Sequence, residues 1–348
     1  MSVHDPSPPR KPRRLGLYLP FVILALAVAA WSAVWVWARG QTQTRMDAAA
    51  AALAKAGYQL TWKDRVVGGY PFRMDVTVTD ARLREPSGWA LEAPRIEGEA
   101  FMHAPTHWLI AAPDGITFVR PIGGPVAVKG QLIRASLSHP DAHPPSFSFE
   151  GVKLAFTPQP GAQPFALTAA DRVEFHTRAG PDDQGGVFAR LDNGKARLSS
   201  GLFARVAGEK PISIVWNSTL SKMSAFTGPD WPSAVRHWAD AGGSMTVREA
   251  GITAGDAVVG SKSGSLGVGR DGRLTGVLPV TLRQAPRTLG ALGAEGVIDQ
   301  EAARAATAVT EARQGGGETA QATLNFQAGR TTLGPVALGD APRIYQPR

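Results

Sequence analysis

The chain has 348 residues, a formal net charge of +8 and no cysteine. Its 39 glycines and 27 prolines are too many for a largely helical protein, because both residues disfavour helix interiors. Half of the net charge falls within the first 39 residues, and the rest forms no basic run interleaved with aromatic residues, which argues against a nucleic-acid partner. Without cysteine, the fold depends on packing and not on disulfides.

The first predicted element is a membrane-spanning helix over residues 15–38. These 24 residues, LGLYLPFVILALAVAAWSAVWVWA, contain no charged side chain, and a helix of this length crosses a hydrocarbon core of about 30 Å. Residues 1–14 precede it and contain the basic run RKPRR. Because basic flanks stay on the cytoplasmic side, we predict that residues 1–14 are a cytoplasmic tail and that the bulk of the chain lies across the membrane.

A cleaved signal peptide is the alternative for this segment, with Val36 and Ala38 before the cleavage site. The apolar stretch is longer than the roughly 7 to 15 residues of a signal-peptide core. Trp31, Trp35 and Trp37 also suit the interfacial end of an anchor, where amphipathic rings prefer to lie. We therefore expect a retained anchor.

After the span, the sequence predicts a helix over residues 41–57, rich in alanine and closed by Gly57, and then a β-rich domain over residues 58–348. In the domain, runs of strand length are bounded by glycine or proline. FTGPDWPS at residues 226–233 marks a candidate boundary between two lobes. Helix candidates lie at residues 233–241, 286–294 and 299–314. We predict a β-rich α+β fold with a long, curved, mainly antiparallel sheet and a few short helices.

The motif GYPFR precedes the most regular alternation of apolar and polar residues in the chain. Its residues are Gly69, Tyr70, Pro71, Phe72 and Arg73. Glycine permits a turn with positive φ, and proline, which donates no hydrogen bond to a sheet, belongs at the first residue of a strand or on an edge. We predict that the motif starts a strand, with Tyr70 sealing the end of its apolar face; a binding role for Tyr70 is the alternative.

Beyond this motif, Phe72, Met74, Val76 and Val78 alternate with polar residues, so they fall on one face of the predicted strand. A long sheet with one apolar face needs a cover, and the few predicted helices are insufficient. A second sheet or a lipid would then supply the cover. We interpret these four residues as a lipid-facing set; a closed protein core is the alternative.

GVGRDG at residues 267–272 has the spacing of a dinucleotide-binding loop. Such a loop requires a helix at its end, but the segment that follows is extended and contains Gly276 and Pro279. We therefore predict a hairpin turn at Asp271 and Gly272, and no cofactor site.

Two histidine pairs have the spacing of metal ligands: His103 with His107, and His139 with His143, the second pair flanking Asp141. Ligand pairs at this spacing usually share one face of a helix, but prolines prevent a helix in both segments. We predict loop histidines and no metal site. The sequence contains no pattern of a nucleophile or a phosphate-binding loop either, so we expect no catalytic residues and no enzyme.

The order of these elements resembles a family of bacterial envelope proteins known as domain of unknown function 2125. The resemblance rests on GYPFR, on WALEAPRIEGEA at residues 89–100, and on the C-terminal runs GRDGRLTGVLPVTL, ALGAEGVID and TTLGPVALGDAP. A looser resemblance extends to the AsmA-like envelope proteins. Together these resemblances imply a single-pass bacterial inner-membrane protein with a periplasmic β-rich domain, a groove that handles lipid, and no catalytic residues.

Two functions follow as hypotheses. In the first, the membrane-anchored periplasmic domain binds or passes the acyl chains of a phospholipid or another envelope lipid in a groove of its sheet. In the second, the protein is an envelope scaffold or assembly protein with a closed β core and protein partners. Exposed apolar surface marks interaction sites in either case, so the sequence leaves both open.

Overall fold

A computed structural model of the chain describes residues 15–196, 210–228, 230–294, 296, 298–314 and 319–346. The predicted cytoplasmic tail, residues 1–14, lies outside the described residues. The basic flank from which we predicted the orientation lies there too.

One continuous helix, α1 (Leu15–Lys55), begins the described chain. At 1.5 Å per residue, its 41 residues extend over about 60 Å, roughly twice the thickness of a hydrocarbon core. In the described part of the chain it is the one helix long and apolar enough to cross a membrane. The predicted span and the predicted alanine-rich helix are therefore a single element, whose second half projects past the span.

Nineteen strands are described, and all their pairings are antiparallel. The first nine are β1 (Gln59–Thr61), β2 (Asp64–Gly68), β3 (Arg73–Arg84), β4 (Ala90–Phe101), β5 (Trp108–Ala111), β6 (Ile116–Arg120), β7 (Gly124–Lys129), β8 (Leu132–Ser138) and β9 (Ser146–Pro158). The others are β10 (Leu167–Ala179), β11 (Gly185–Ala196), β12 (Ile212–Leu220), β13 (Met245–Ala254), β14 (Ala257–Ser261), β15 (Gly264–Val268), β16 (Leu274–Arg283), β17 (Thr319–Gln327), β18 (Arg330–Leu333) and β19 (Val336–Asp340). The predicted β-rich fold is confirmed.

Three short α-helices accompany the sheet: α2 (Trp231–Asp240), α3 (Ala285–Ala294) and α4 (Gln300–Gln314). They confirm the three predicted helix candidates. α2 begins where the sequence provides both a cap and a first-turn proline: the Asp230 carboxylate accepts a hydrogen bond from the Ser233 amide at 2.8 Å, and Pro232 follows the first helical residue.

The strands form one sheet in which most sequence neighbours are also sheet neighbours. Some positions in the sheet are shared by two short strands. Both β5 and β6 pair with β4, both β7 and β8 pair with β9, and β14 and β15 lie between β13 and β16. At about 4.8 Å between neighbouring strands, the path across the sheet from β2 to β19 measures roughly 65 Å.

The register gives the sheet two chemically different faces. One face, which we call the apolar face, carries a row that crosses ten positions of the sheet: Val76, Gly98, Ile110, Ala135, Phe149, Phe175, Ala189, Trp216, Ala250 and Ser261. The adjacent row lies on the opposite face, the polar face: Thr77, Glu97, Ala111, Arg134, Glu150, Glu174, Arg190, Val215, Gly251 and Gly260. The alternation predicted for one strand thus extends across most of the sheet.

Helices cover the apolar face at its two ends. α1 packs on β2 and β3 through Trp35, and α3 and α4 pack on β16 and β17 through residues that include Leu289 and Ala306. α2 covers a corner formed by the ends of β12, β13 and β15, where Trp238 is buried. In the described chain, buried clusters therefore lie under these helices, and two further clusters, around Ile133 and around Leu266, contain no helix residue.

The candidate lobe boundary at residues 226–233 lies between β12 and β13. These two strands pair from Ile212 opposite Ala254 to Leu220 opposite Met245. The two candidate lobes therefore share one continuous sheet.

The predicted hairpin at Asp271 and Gly272 is confirmed. β15 leads into a turn in which the Gly272 amide donates to the Gly269 carbonyl at 2.9 Å, and β16 follows instead of a helix. Gly272 has a φ of +74°. Residues 340–345, which we call the C-terminal strap, return to this turn, where the Ile344 amide donates to the Gly272 carbonyl at 2.8 Å.

We expect Gly272→Ala to destabilise the domain by about 1–3 kcal/mol, because its φ is unfavourable for a side chain and an added Cβ would collide with the Tyr345 carbonyl. Gly290→Ala is the matched control. It lies in α3 with no heavy atom within 4 Å of the added Cβ, so it should be neutral or stabilise by up to about 1 kcal/mol. Thermal unfolding in detergent, followed by circular dichroism, measures both; equal midpoints would contradict the expectation.

Candidate functional site

The GYPFR motif forms the connection between β2 and β3. The chain turns over residues 69–72, and β3 begins at Arg73, whose amide donates to the Gly69 carbonyl at 2.9 Å. The Tyr70–Pro71 peptide bond is cis. Gly69 has a φ of +96°, and a Cβ there would lie 2.7 Å from the Arg73 carbonyl oxygen, so the turn requires glycine. The motif starts a strand as predicted.

Two tryptophans of α1 donate hydrogen bonds to the backbone of this turn. Trp31 Nε1 donates to the Pro71 carbonyl at 2.8 Å, and Trp35 Nε1 donates to the Arg73 carbonyl at 2.9 Å. Each neutral hydrogen bond of this kind contributes about 1 kcal/mol. The two bonds also fix the orientation of the turn. Trp31 and Trp35 lie four residues apart, on the same side of α1, and they hold the turn at two carbonyl groups.

Tyr70 also contacts α1. We call the contacts of Trp31, Trp35 and Tyr70 between α1 and the turn the junction. The Ser32 hydroxyl donates to the Val28 carbonyl at 2.7 Å, so its single proton is used and the Tyr70 hydroxyl donates to Ser32 Oγ at 2.8 Å. The rings of Trp35 and Tyr70 meet edge to face, with centroids 5.5 Å apart. Tyr70 therefore faces α1 and the junction.

The junction divides the set of residues that we interpreted as lipid-facing. Met74, Val76 and Val78 are buried in one cluster with Trp35, so they contact protein. Phe72 precedes β3 and is 68% exposed. The sequence analysis predicted the span that contains Trp35 but did not predict that it packs on this strand.

The three tryptophans predicted at the membrane interface also differ in position. Trp35 is only 7% exposed and belongs to the core, whereas Trp37 is 65% exposed on the helix surface. Trp31 remains partly exposed beside the turn. Trp35 faces β3, so this ring contacts protein, and the interfacial depth of the three rings stays a prediction.

A second contact holds the helix further along. The Arg65 guanidinium on β2 forms a two-pronged ion pair with the Asp47 carboxylate, at 2.8 and 3.2 Å, and also donates to the Gln43 carbonyl at 3.3 Å. Surface ion pairs contribute little stability, but this bidentate geometry orients the helix. α1 is therefore attached to the first strands at two separate places.

An apolar cleft of about 570 Å³ opens beside the junction. We call it the junction cleft. α1 forms one wall, and the turn and the segment after β4 form the other. Its lining residues are Ala27, Val28, Trp31, Tyr70, Pro71, Phe72, Met102 and His103.

A second apolar surface lies between the helix-covered ends of the sheet. We call it the central apolar face and define it by Leu137, Phe147, Phe175, Leu191 and Ile252. None of these side chains belongs to the buried clusters of the described chain, and Phe175 and Ile252 are 39% and 41% exposed. The Phe147 and Phe175 rings lie 6.3 Å apart. The sequence signal for this surface is the alternation in β9 to β13, which continues that of β3.

The polar face carries a larger cleft of about 950 Å³ across β11 to β17, lined by residues that include Phe188, Arg190, Glu249 and Lys262. Among its charged side chains, Arg190 forms an ion pair with Asp192 at 2.9 Å. We call it the polar cleft.

Further along the polar face, arginines flank Glu150 on both sides. Arg134 contacts the Glu150 carboxylate at 2.6 Å, and Arg172 donates to it as well. The hydrogen bonds from Arg172 and Arg134 lower the pKa of Glu150 below its usual value. An ionised carboxylate between two arginines is suited to cross-strand pairing and is a poor proton donor.

The four histidines lie in loops, as predicted. His103 stacks on Phe101, and the rings of His107 and His139 approach to 5.3 Å, so the two loops are neighbours. Among the described residues, no group of three or more His, Cys, Asp or Glu side chains could hold a metal ion.

Comparison with known proteins identifies a bacterial family. A family model described as "Uncharacterized protein conserved in bacteria (DUF2125)" matches residues 35–342, which include the junction from Trp35 onward and the whole described sheet. No curated protein and no solved structure is significantly similar to the chain. These comparisons do not extend to the AsmA-like proteins that the sequence resembles more loosely.

We expect Trp35→Ala to destabilise the protein by about 3–5 kcal/mol, because it removes a buried ring and leaves the Arg73 carbonyl without its donor. Trp37→Ala is the matched control: this residue lies on the same helix but is exposed, so a change within about 0.5 kcal/mol is expected. Thermal unfolding in detergent measures both. Equal effects would show that the junction does not hold the helix to the sheet.

Proposed function

We propose that this chain, which belongs to the DUF2125 family of proteins conserved in bacteria, is a non-enzymatic envelope protein that holds lipid acyl chains on its central apolar face. In this proposal α1 anchors the protein in the inner membrane, and the sheet lies in the periplasm. The lipid is a phospholipid or another envelope lipid.

The exposure of the central apolar face is the observation that supports this function. Phe175 on β10 and Ile252 on β13 are partly exposed to water on the same face, and soluble proteins usually cover such apolar surface. An acyl chain would cover it, and each buried methylene contributes about 0.8 kcal/mol. A chain that contacts Phe147, Phe175 and Ile252 in turn would cross the strands from β9 to β13.

The polar face also supports this proposal, since its arginine–carboxylate pairs keep that side of the sheet compatible with water. The sheet would then present lipid on one side and solvent on the other. The carboxylate of Glu150, held ionised between Arg134 and Arg172, fits a structural role better than acid–base chemistry.

The second candidate function is an envelope scaffold that binds other proteins. The polar cleft favours it, because its mixture of hydroxyl groups, charged side chains and one phenylalanine resembles the polar part of a protein interface. In this case a protein partner would also cover the central apolar face. Lipid capture on that face distinguishes the two candidates.

A photocrosslinking amino acid at Phe175 should capture lipid in cells, whereas the same amino acid at His176 should not. His176 is the next residue of β10 and lies on the polar face, opposite Ser148 and Phe188. Mass spectrometry of the adducts reads out both positions. A crosslinker at Val76 should also capture no lipid, because α1 covers that residue.

Aspartate substitutions separate an open surface from a closed core. Phe175→Asp should leave the domain folded but deplete it of lipid, since the new carboxylate can reach water. Val76→Asp should unfold it, because a carboxylate buried without a partner costs several kcal/mol, comparable with the whole stability of a domain. Circular dichroism and lipid extraction test both variants. A folded Phe175→Asp protein with its full lipid complement, or protein adducts alone at Phe175, would favour the scaffold.

For the orientation, we expect protease added to spheroplasts to digest the residues after α1. The uncharged stretch and its basic flank motivate this expectation. A cytoplasmic protein that stays intact is the control. Protection of the domain, while a periplasmic protein is digested, would reverse the proposed orientation.

A further inference from the structure

The junction cleft lies beside the part of α1 that is suited to the membrane. Ala27, Val28 and Trp31 form its helix wall, and all three belong to the uncharged stretch that ends at Ala38. Trp31 precedes Ala38 by seven residues, or about 10 Å along the helix. With the span in the membrane, as proposed above, a turn that contacts Trp31 lies at the depth of the lipid headgroups and the first methylenes.

The chemistry of the junction cleft suits this depth. The Pro71 carbonyl accepts a hydrogen bond from Trp31 Nε1, and the Tyr70 hydroxyl is paired with Ser32, so these polar groups are satisfied without water. Phe72, the most exposed side chain of the turn, has no polar atom. Apart from the His103 ring, the lining side chains are therefore apolar or have satisfied polar groups, as an acyl chain requires, since hydrocarbon offers no hydrogen bonds.

An apolar path connects the junction cleft with the central apolar face. Met102 lines the cleft and packs with Trp108 on the same buried cluster. Trp108 on β5 pairs with Leu137 on β8, and Leu137 pairs with Phe147 on β9. Phe147 is the neighbour of Phe175.

We propose that the junction cleft is the portal through which an acyl chain of a phospholipid in the surrounding bilayer reaches the central apolar face. The proposal rests on the proposed function, because it assigns the source and the route of the lipid held at Phe175. The occupant is a bilayer phospholipid, since one wall of the cleft is the membrane anchor itself.

The first experiment tests whether the turn lies in the bilayer. Because the chain has no cysteine, Phe72→Cys introduces a unique site for an environment-sensitive fluorophore in the full chain reconstituted into nanodiscs. Phospholipids brominated on their acyl chains should quench this label. Ile122→Cys is the matched control: it is 85% exposed in the turn between β6 and β7, at the opposite end of β4 from Phe101, and should not be quenched.

The second experiment tests the route. Ala27→Trp adds a large side chain to the junction cleft and should abolish the lipid adduct formed by a photocrosslinker at Phe175. Ala29→Trp is the control, because this residue is exposed on the same helix but is absent from the cleft lining. It should leave the adduct unchanged.

The outcomes separate the portal from the function on which it rests. Quenching at Phe72 together with loss of the adduct in Ala27→Trp alone supports the portal. An unquenched label at Phe72, or an adduct that survives Ala27→Trp, overturns the portal and leaves lipid binding at Phe175 intact. Absence of lipid at Phe175 in the otherwise unchanged protein overturns both proposals.

Discussion

The attachment of α1 to the first strands is the constraint on which the rest of the structure depends. Two indole donors bind the backbone of one turn, and a bidentate ion pair holds the helix further along. Because the same helix carries the candidate membrane span, these contacts determine the orientation of the sheet relative to that span. A flexible linker would leave that orientation undetermined, whereas here one continuous helix both carries the candidate span and packs on the first strands.

The second determinant is the separation of two chemistries across a single layer of strands. The register places apolar residues of one strand opposite apolar residues of the next. The alternation within each strand therefore produces an apolar face and a polar face that extend across most of the sheet. Helices protect this surface where the domain needs a core. Between them Phe175 and Ile252 stay partly accessible, and the arginine–carboxylate pairs on the reverse side keep the sheet hydrated.

The local elements could be predicted from the sequence because their signals are local. The Asp271–Gly272 turn, the three short helices and the strand after GYPFR each follow from residues within a few positions of one another. The role of Trp35 could not be predicted, because its partner Arg73 is 38 residues away and periodicity carries no information about that contact. Alternation also looks the same for Val76, under a helix, and for Phe175, which is partly open.

The C-terminal strap has a consequence for the order in which the protein assembles. Arg273 binds Asp340 at 2.7 Å, and the Leu274 amide donates to the Pro342 carbonyl at 2.8 Å, so the hairpin at Gly272 completes its contacts with residues made about 70 positions later. The junction, by contrast, needs only the first hundred residues. During synthesis the end of the sheet that packs on α1 can therefore form early, whereas the hairpin at Gly272 completes its contacts only after the C-terminal residues have been made.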